Sequence, residues 1–290
     1  MKTRLFILIL LLSVQGRAEV FPFTLSKGFI LTEAVIEGRT VLAILDSGAP
    51  GLVLNQKYYH DAQDSVVTCT GIYGDFECNT QLVKRWEWLG STNRNTTAII
   101  SDLSFLEQLL GQEIHALIGL SAISHFYVTI NYDQETIGLE KEMNDIPTAS
   151  FSRFQYVNHL PVLSCKVSGE KKFLGLDTGS ECNFLFNYTA SPDQELLASS
   201  SPIIIVGTDN KENVKQRIML TLELYNEETN YPSEFIVDLD DQEKIRHVGF
   251  DGMLGQPFLT QYNIIIHPGK QRILLTPRFT STPLASALMP

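Results

Sequence analysis

Two aspartates, Asp46 and Asp177, each close an apolar run and open the same short triplet. Residues 41–49 read Val-Leu-Ala-Ile-Leu-Asp-Ser-Gly-Ala and residues 173–180 read Phe-Leu-Gly-Leu-Asp-Thr-Gly-Ser, with the aspartates 131 positions apart. Carboxylates on matching strand ends can meet across a pseudo-twofold axis. Two anions at hydrogen-bond distance are strongly unfavourable, so such a pair holds one proton between them. The charged member can then take a proton from a water while the neutral member donates to the group under attack. That chemistry needs no covalent intermediate, no metal and no cofactor. Gly48 and Gly179 permit tight turns and a close approach of the two loops. Ser47 and Thr178 bring hydroxyls that can brace the loop opposite.

The elements that must position this pair also repeat. A turn glycine stands eight residues before each aspartate, Gly38 and Gly169, and an apolar run follows each triplet, Leu52-Val53-Leu54 and Phe184-Leu185-Phe186. A third segment occurs twice as well: Ala116-Leu117-Ile118-Gly119, followed by Phe126, Val128 and Ile130, and Gly252-Met253-Leu254-Gly255, followed by Tyr262, Ile264 and Ile266. A single Asp-(Ser/Thr)-Gly triplet is an ordinary turn former. The same triplet in two matching contexts marks an internal duplication with a period of about 130 residues. Gly119 and Gly255 are expected to let their strands pack against the aspartate loops.

With these residues in view, the two halves resemble aspartic proteases of the pepsin and retropepsin clan, in which each lobe supplies one Asp-(Ser/Thr)-Gly loop and an apolar-apolar-Gly segment packs beside it. The resemblance covers most of residues 30–277, and the short lobes look like two retropepsin-like units fused in tandem. It implies an all-β, bilobal fold of two pseudo-twofold-related barrel-like lobes with a cleft between them. It implies an aspartic endopeptidase acting on a peptide or protein substrate through Asp46 and Asp177, with Ser47, Gly48, Thr178 and Gly179 supporting the dyad. It also implies that Tyr73-Gly74, at the tip of a hairpin, forms a flap over the substrate. The alternative is a secreted non-catalytic peptide-binding protein or inhibitor that keeps the same fold.

The chain has 290 residues, 44% of them hydrophobic, and a formal charge of −11. That composition is globular rather than disordered and speaks against nucleic-acid binding. Residues 1–18 read as a secretory signal, with Lys2 and Arg4 before an apolar run and small residues Gly16 and Ala18 at a cleavage site. The mature protein is expected to be secreted or periplasmic, without a membrane anchor, and monomeric; two chains building hybrid sites is the other arrangement. Four cysteines fit an oxidising compartment; local pairs Cys69–Cys78 and Cys165–Cys182 are expected among three connectivities. No His-Glu-x-x-His, Gly-x-Ser-x-Gly, phosphate-loop or paired Cys-x-x-Cys pattern competes, so no metal site is expected.

The organisation follows. Residues 19–145 form an N-terminal lobe, 146–153 a linker, 154–280 a C-terminal lobe and 281–290 a tail. Hairpins are expected at 29–36 with 40–45, 66–70 with 76–83, 126–139 around Asp133, and 160–167 with 172–176. Leu103–Leu110 reads as a short helix capped by Ser101 or Asp102. Trp86 and Trp88 alternate in a strand-like stretch and are expected to pack in the core or on a lobe surface rather than to form a stacking platform.

Overall fold

The computed structural model describes residues 19–59, 65–71, 74–186, 188, 203–206, 212–224, 230–237 and 249–278. The leader at 1–18, Tyr73 and the tail at 281–290 lie outside these residues. The described chain is all-β, with two short α-helices, Ser104–Leu110 and Gln256–Leu259. No helix among the described residues is long and apolar enough to cross a membrane.

Local chemistry sets the hairpins. Ile36 pairs with Arg39 across Glu37-Gly38, and Val167 with Glu170 across Ser168-Gly169. Both residues of each turn have positive φ (49° and 79°, 49° and 82°), the primed two-residue geometry that matches the twist of antiparallel strands. The helix follows the same logic. The Asp102 carboxylate accepts the N–H of Ser104 at 2.9 Å, and Gly111 ends the helix in the left-handed region.

Two eight-stranded sheets result, one per half, with the same strand order. In the first half, Arg39–Leu45 lies parallel to Ala116–Ile118, which pairs antiparallel with Leu52–Asn55. In the second, Glu170–Leu176, Gly252–Leu254 and Phe184–Leu185 repeat that arrangement. Outside these three strands lie Ser91–Ser101, Gly74–Trp88 and Ser65–Gly71 in one sheet, and Asn230–Val237, Glu212–Leu224 and Ile203–Val206 in the other. Each sheet also folds back on itself, through Ala34 opposite Trp88 and through Cys165 opposite Leu224. The central strands Leu52–Asn55, Ala116–Ile118 and Gly252–Leu254 are buried along their whole length, which is why they read as unbroken apolar runs.

A third sheet has six strands, three from each half. Its centre is the antiparallel pair Tyr127–Asn131 and Tyr262–His267, with Thr129 opposite Ile265. Val20–Pro22 pairs with Thr136–Glu140 on one side, and Ser152–Arg153 with Arg272–Pro277 on the other. The last two residues of the expected linker are therefore a strand of this shared sheet. Phe23 and Phe154, again 131 positions apart, follow the outer strands and are buried in the common core. On its outer face the first-half sheet is covered by the helix, where Leu103 and Leu106 pack on Phe29, Leu31, Ile44, Val53 and Leu117.

Two expectations need correcting. The strand begun at residue 76 does not stop at 83 but spans Gly74–Trp88. Exposed Lys84 and Arg85 interrupt its apolar pattern, and the run resumes with Trp86 and Trp88, each 1% exposed in the core. The cysteines, in turn, are free thiols. Cys69 faces Phe76 and Cys78 faces Val67, so the two are diagonal neighbours. Diagonal Cα atoms in such a ladder lie about 7–8 Å apart, beyond the roughly 4.4–6.8 Å that a disulfide spans. Cys165 points into the large core, whereas Cys182 packs against the separate cluster around Leu160 and Phe184. Burial pushes both of these thiols up to about 12.

Candidate active site

Each aspartate sits where a parallel strand pair ends. The Asp46 N–H donates to the Ile118 carbonyl and the Asp177 N–H to the Leu254 carbonyl, both at 3.0 Å. The chain then turns tightly. Ala49 N–H returns to the Asp46 carbonyl at 3.1 Å and Ser180 N–H to the Asp177 carbonyl at 3.2 Å. Gly48 N–H donates to Asp46 Oδ1 and Gly179 N–H to Asp177 Oδ1, each at 2.8 Å. The two loops thus present their carboxyl groups in matching poses.

Below the carboxyl groups, the residues after each aspartate lock the halves together. The Thr178 hydroxyl accepts the Ser47 N–H at 2.9 Å and donates to the Leu45 carbonyl at 2.8 Å. The Ser47 hydroxyl accepts the Thr178 N–H at 2.9 Å and donates to the Leu176 carbonyl at 2.7 Å. Both side chains are 4% exposed. Four buried hydrogen bonds therefore cross between the halves with every partner satisfied, the condition under which a buried polar network rigidifies a site. Beneath them is a small cavity lined by Leu45, Leu176, Leu120, Leu259 and isoleucines of the six-stranded sheet.

The glycines explain how the loops come so close. A Cβ added to Gly48 would lie 2.7–2.9 Å from the Asp177 carboxyl group, and one added to Gly179 would lie 2.5–2.7 Å from that of Asp46. Each carboxyl thus occupies the space beside the opposite glycine. Gly119 and Gly255 press on the loops from behind. A Cβ there would lie 2.2 Å from the Ala49 carbonyl oxygen and 2.3 Å from that of Cys182.

Asp46 and Asp177 lie within hydrogen-bond reach of each other and both resist ionisation. Burial raises Asp46 well above the usual carboxylate range, and the charge of Asp177 adds to that rise. Burial also raises Asp177, but the Gly179 N–H, the Asp46 carboxyl and the Gly48 N–H all donate to it and restrain the shift. Two carboxyl groups this close titrate as a pair, and the pair favours holding one proton between them. Both keep partial surface exposure, so solvent can reach the pair.

The geometry gathers Asp46, Ser47, Gly48, Asp177, Thr178 and Gly179 into one site, with Gly119 and Gly255 against it. Tyr73 lies outside the described residues. Gly74 pairs with Gly71 at the end of its hairpin. Two supporting side chains escaped the sequence reading. Asn183, 2% exposed, accepts the Gly255 N–H at 3.0 Å and donates to the Glu234 carbonyl at 2.9 Å. Gln256, equally sheltered, donates from Nε2 to the Thr178 carbonyl. The available signal was a polar residue inside an apolar run, Cys-Asn-Phe-Leu at 182–185 and Leu-Gly-Gln-Pro-Phe at 254–258.

No model of a protein family matches the chain, and no curated protein matches it in sequence.

Proposed function

We propose that this protein is an aspartic endopeptidase that hydrolyses peptide bonds with a water activated between Asp46 and Asp177. The observation that carries the reading is the reciprocal lock between Ser47 and Thr178 beneath two carboxyl groups within hydrogen-bond reach of each other. The matching strand orders of the two halves and the sheet they share support a bilobal aspartic-protease fold.

The chemistry follows from the single proton that the pair holds. The anionic carboxyl accepts a proton from the bound water as its oxygen attacks the scissile carbonyl carbon. The neutral carboxyl donates its proton to the carbonyl oxygen, giving a tetrahedral diol. Collapse of the diol returns its hydroxyl proton to the carboxyl that donated first and passes the proton on the other carboxyl to the leaving nitrogen, and the C–N bond breaks. Atoms and charge balance over the cycle, and the dyad regains its starting state. The preformed hydrogen bonds to the loops hold both carboxyl groups in place before substrate arrives, so little reorganisation accompanies the reaction.

Both aspartates come from one chain, which supports a monomer that is complete as an enzyme. The basic-then-apolar leader supports a secreted or periplasmic protein whose partner is a peptide or protein substrate.

A fluorogenic peptide-library digest with the purified mature protein, run from about pH 3 to about pH 8, tests the reading. Hydrolysis that disappears in Asp46→Asn supports it. Peptide binding without turnover at any pH would replace it with the non-catalytic binding protein.

A further inference from the structure

Gln256 and Leu120 occupy equivalent places, one residue after Gly255 and Gly119. Both are buried. Leu120 fills its place with an apolar side chain that joins the common core. The plan of the fold therefore accepts a leucine here, and packing alone gives no reason for an amide. Burying an amide is unfavourable unless it is hydrogen-bonded, so what the glutamine holds must account for it.

It holds the Asp177 loop at two points. Its backbone N–H donates to the Ser180 carbonyl at 2.9 Å, and its side-chain Nε2 donates to the Thr178 carbonyl. These are the carbonyls of the residues on either side of Gly179. The Thr178 carbonyl and the Gly179 N–H belong to one peptide unit, and that N–H donates to Asp177 Oδ1 at 2.8 Å. A peptide unit is planar, so fixing its oxygen fixes the direction of its N–H. The glutamine is itself held. Its own carbonyl accepts the Thr260 hydroxyl at 2.6 Å and the Thr260 N–H at 3.0 Å. From the first half, Gly28 lies against its stem, where a Cβ would come 3.0 Å from the glutamine Cβ and 3.2 Å from its Cγ. The orientation of the amide follows from chemistry, since a carbonyl only accepts and the nitrogen must therefore face Thr178.

We propose that Gln256 is a positioning residue for the dyad, clamping the Thr178–Gly179 peptide so that its N–H stays aimed at Asp177. The role rests on the endopeptidase reading. An N–H held on a carboxylate favours the charged form, the form that a general base needs, so the clamp opposes uptake of a second proton by the pair as pH falls. The Leu120 side chain has no donor, so the first half cannot brace its own loop in this way. The two halves share a backbone plan, and one of them carries an added amide that acts only through the peptide it holds.

The test compares the wild type with Gln256→Met and Gln256→Leu in the full chain, using a peptide that the wild type cleaves. Methionine keeps the length of the side chain and removes the donor, and leucine is the residue the first half uses. Ile137→Val, at a buried position of the strand Thr136–Glu140, is the control for lost stability. The expected result is a kcat about tenfold lower in both Gln256 variants, the factor that one lost hydrogen bond gives, with KM within about twofold. The acid limb of the pH–rate profile should move up by about half a pH unit. The control should melt lower and keep the wild-type kcat and acid limb. Hydrogen exchange at the Gly179 amide, independent of turnover, should be about tenfold faster in the methionine variant than in the wild type. Gln256 variants with wild-type kcat and acid limb, an unchanged Gly179 exchange rate, or a loss of kcat that the control reproduces would each overturn the role. A wild type that cleaves nothing at any pH overturns the endopeptidase reading and this role together, whereas an active wild type indifferent to Gln256 overturns this role alone.

Discussion

The Ser47 and Thr178 hydroxyls, 131 positions apart in sequence, each accept the other residue's backbone N–H and each donate to a carbonyl two residues before the other. This exchange makes the two halves interdependent at the one place where their carboxyl groups meet.

Removing either hydroxyl leaves a buried N–H and a buried carbonyl without partners. At about 1–3 kcal/mol for each unsatisfied group, Ser47→Ala and Thr178→Ala are each expected to destabilise the protein by roughly 2–6 kcal/mol. Because the bonds form one network, the double variant should lose less than the sum of the two. Urea unfolding of the three variants checks this, and strict additivity would mean that the hydroxyls act independently.

Asp46→Asn and Asp177→Asn each abolish the sharing of a proton. Loss of a positioned acid or base removes about 10²–10⁴ in rate, and here each carboxyl serves in both stages. We expect kcat/KM to fall by about 10³ or more in either variant, with the circular-dichroism spectrum unchanged. A variant retaining more than about a tenth of wild-type activity would refute the assignment of that aspartate.

The pH dependence of stability has a defined sign. Burial and the neighbouring carboxylate raise Asp46 above its ordinary value of 3.8. A carboxyl raised in the folded state binds its proton more tightly there than in the unfolded chain. Its contribution is fully present below about 3.8 and is lost as pH rises through the higher folded value. Asparagine carries no such charge, so Asp46→Asn should be more stable than wild type at neutral pH, with the advantage shrinking as pH falls towards the ordinary carboxylate value. Denaturant midpoints of both proteins across that range measure the trend. A constant offset would mean that Asp46 is not raised.

Gly119→Ala places a methyl group 2.2 Å from a backbone oxygen, and Gly255→Ala places one 2.3 Å from another. Neither oxygen belongs to a side chain that can swing aside. Overpacking of this severity costs about 3 kcal/mol or more, and the neighbouring aspartate loop must shift to relieve it. Both variants are expected to lose stability, and with it any peptide hydrolysis that the proposed dyad performs. Wild-type melting in either one would contradict the packing described for these strands.

Four thiols are expected to react when the protein is unfolded without reductant, and few when it is native, since Cys78 and Cys165 are buried and Cys69 and Cys182 are only partly open. Counting thiols with a chromogenic disulfide reagent checks the point. Two reactive thiols in the unfolded chain would establish a disulfide.

Much of this was legible in the sequence because the chain states its plan twice. Asp46, Ser47, Gly48 and Gly119 gain meaning from Asp177, Thr178, Gly179 and Gly255, and the primed turns at Glu37-Gly38 and Ser168-Gly169 announce the hairpins that deliver them. What escaped depends on register and on contacts with no local period. Cys69 and Cys78 flank one turn, and only the pairing of Cys69 with Phe76 shows that they stand diagonally. Lys84 and Arg85 look like the end of a strand until the second alternation brings Trp86 and Trp88 inward. Gln256 breaks the duplication, with Leu120 at the equivalent place, so a comparison of what repeats passes over it.

The six-stranded sheet takes three strands from each half and joins them along Tyr127–Asn131 and Tyr262–His267. Either half alone would therefore carry an unpaired ladder of apolar strand, an invitation to any complementary edge. Antiparallel pairing about a single residue such as Thr129 is its own complement, so two identical copies of one half could close that seam as the unlike halves do now. One chain holds both copies of that edge, and its covalent join leaves Gln256 free to differ from Leu120 at the matching place.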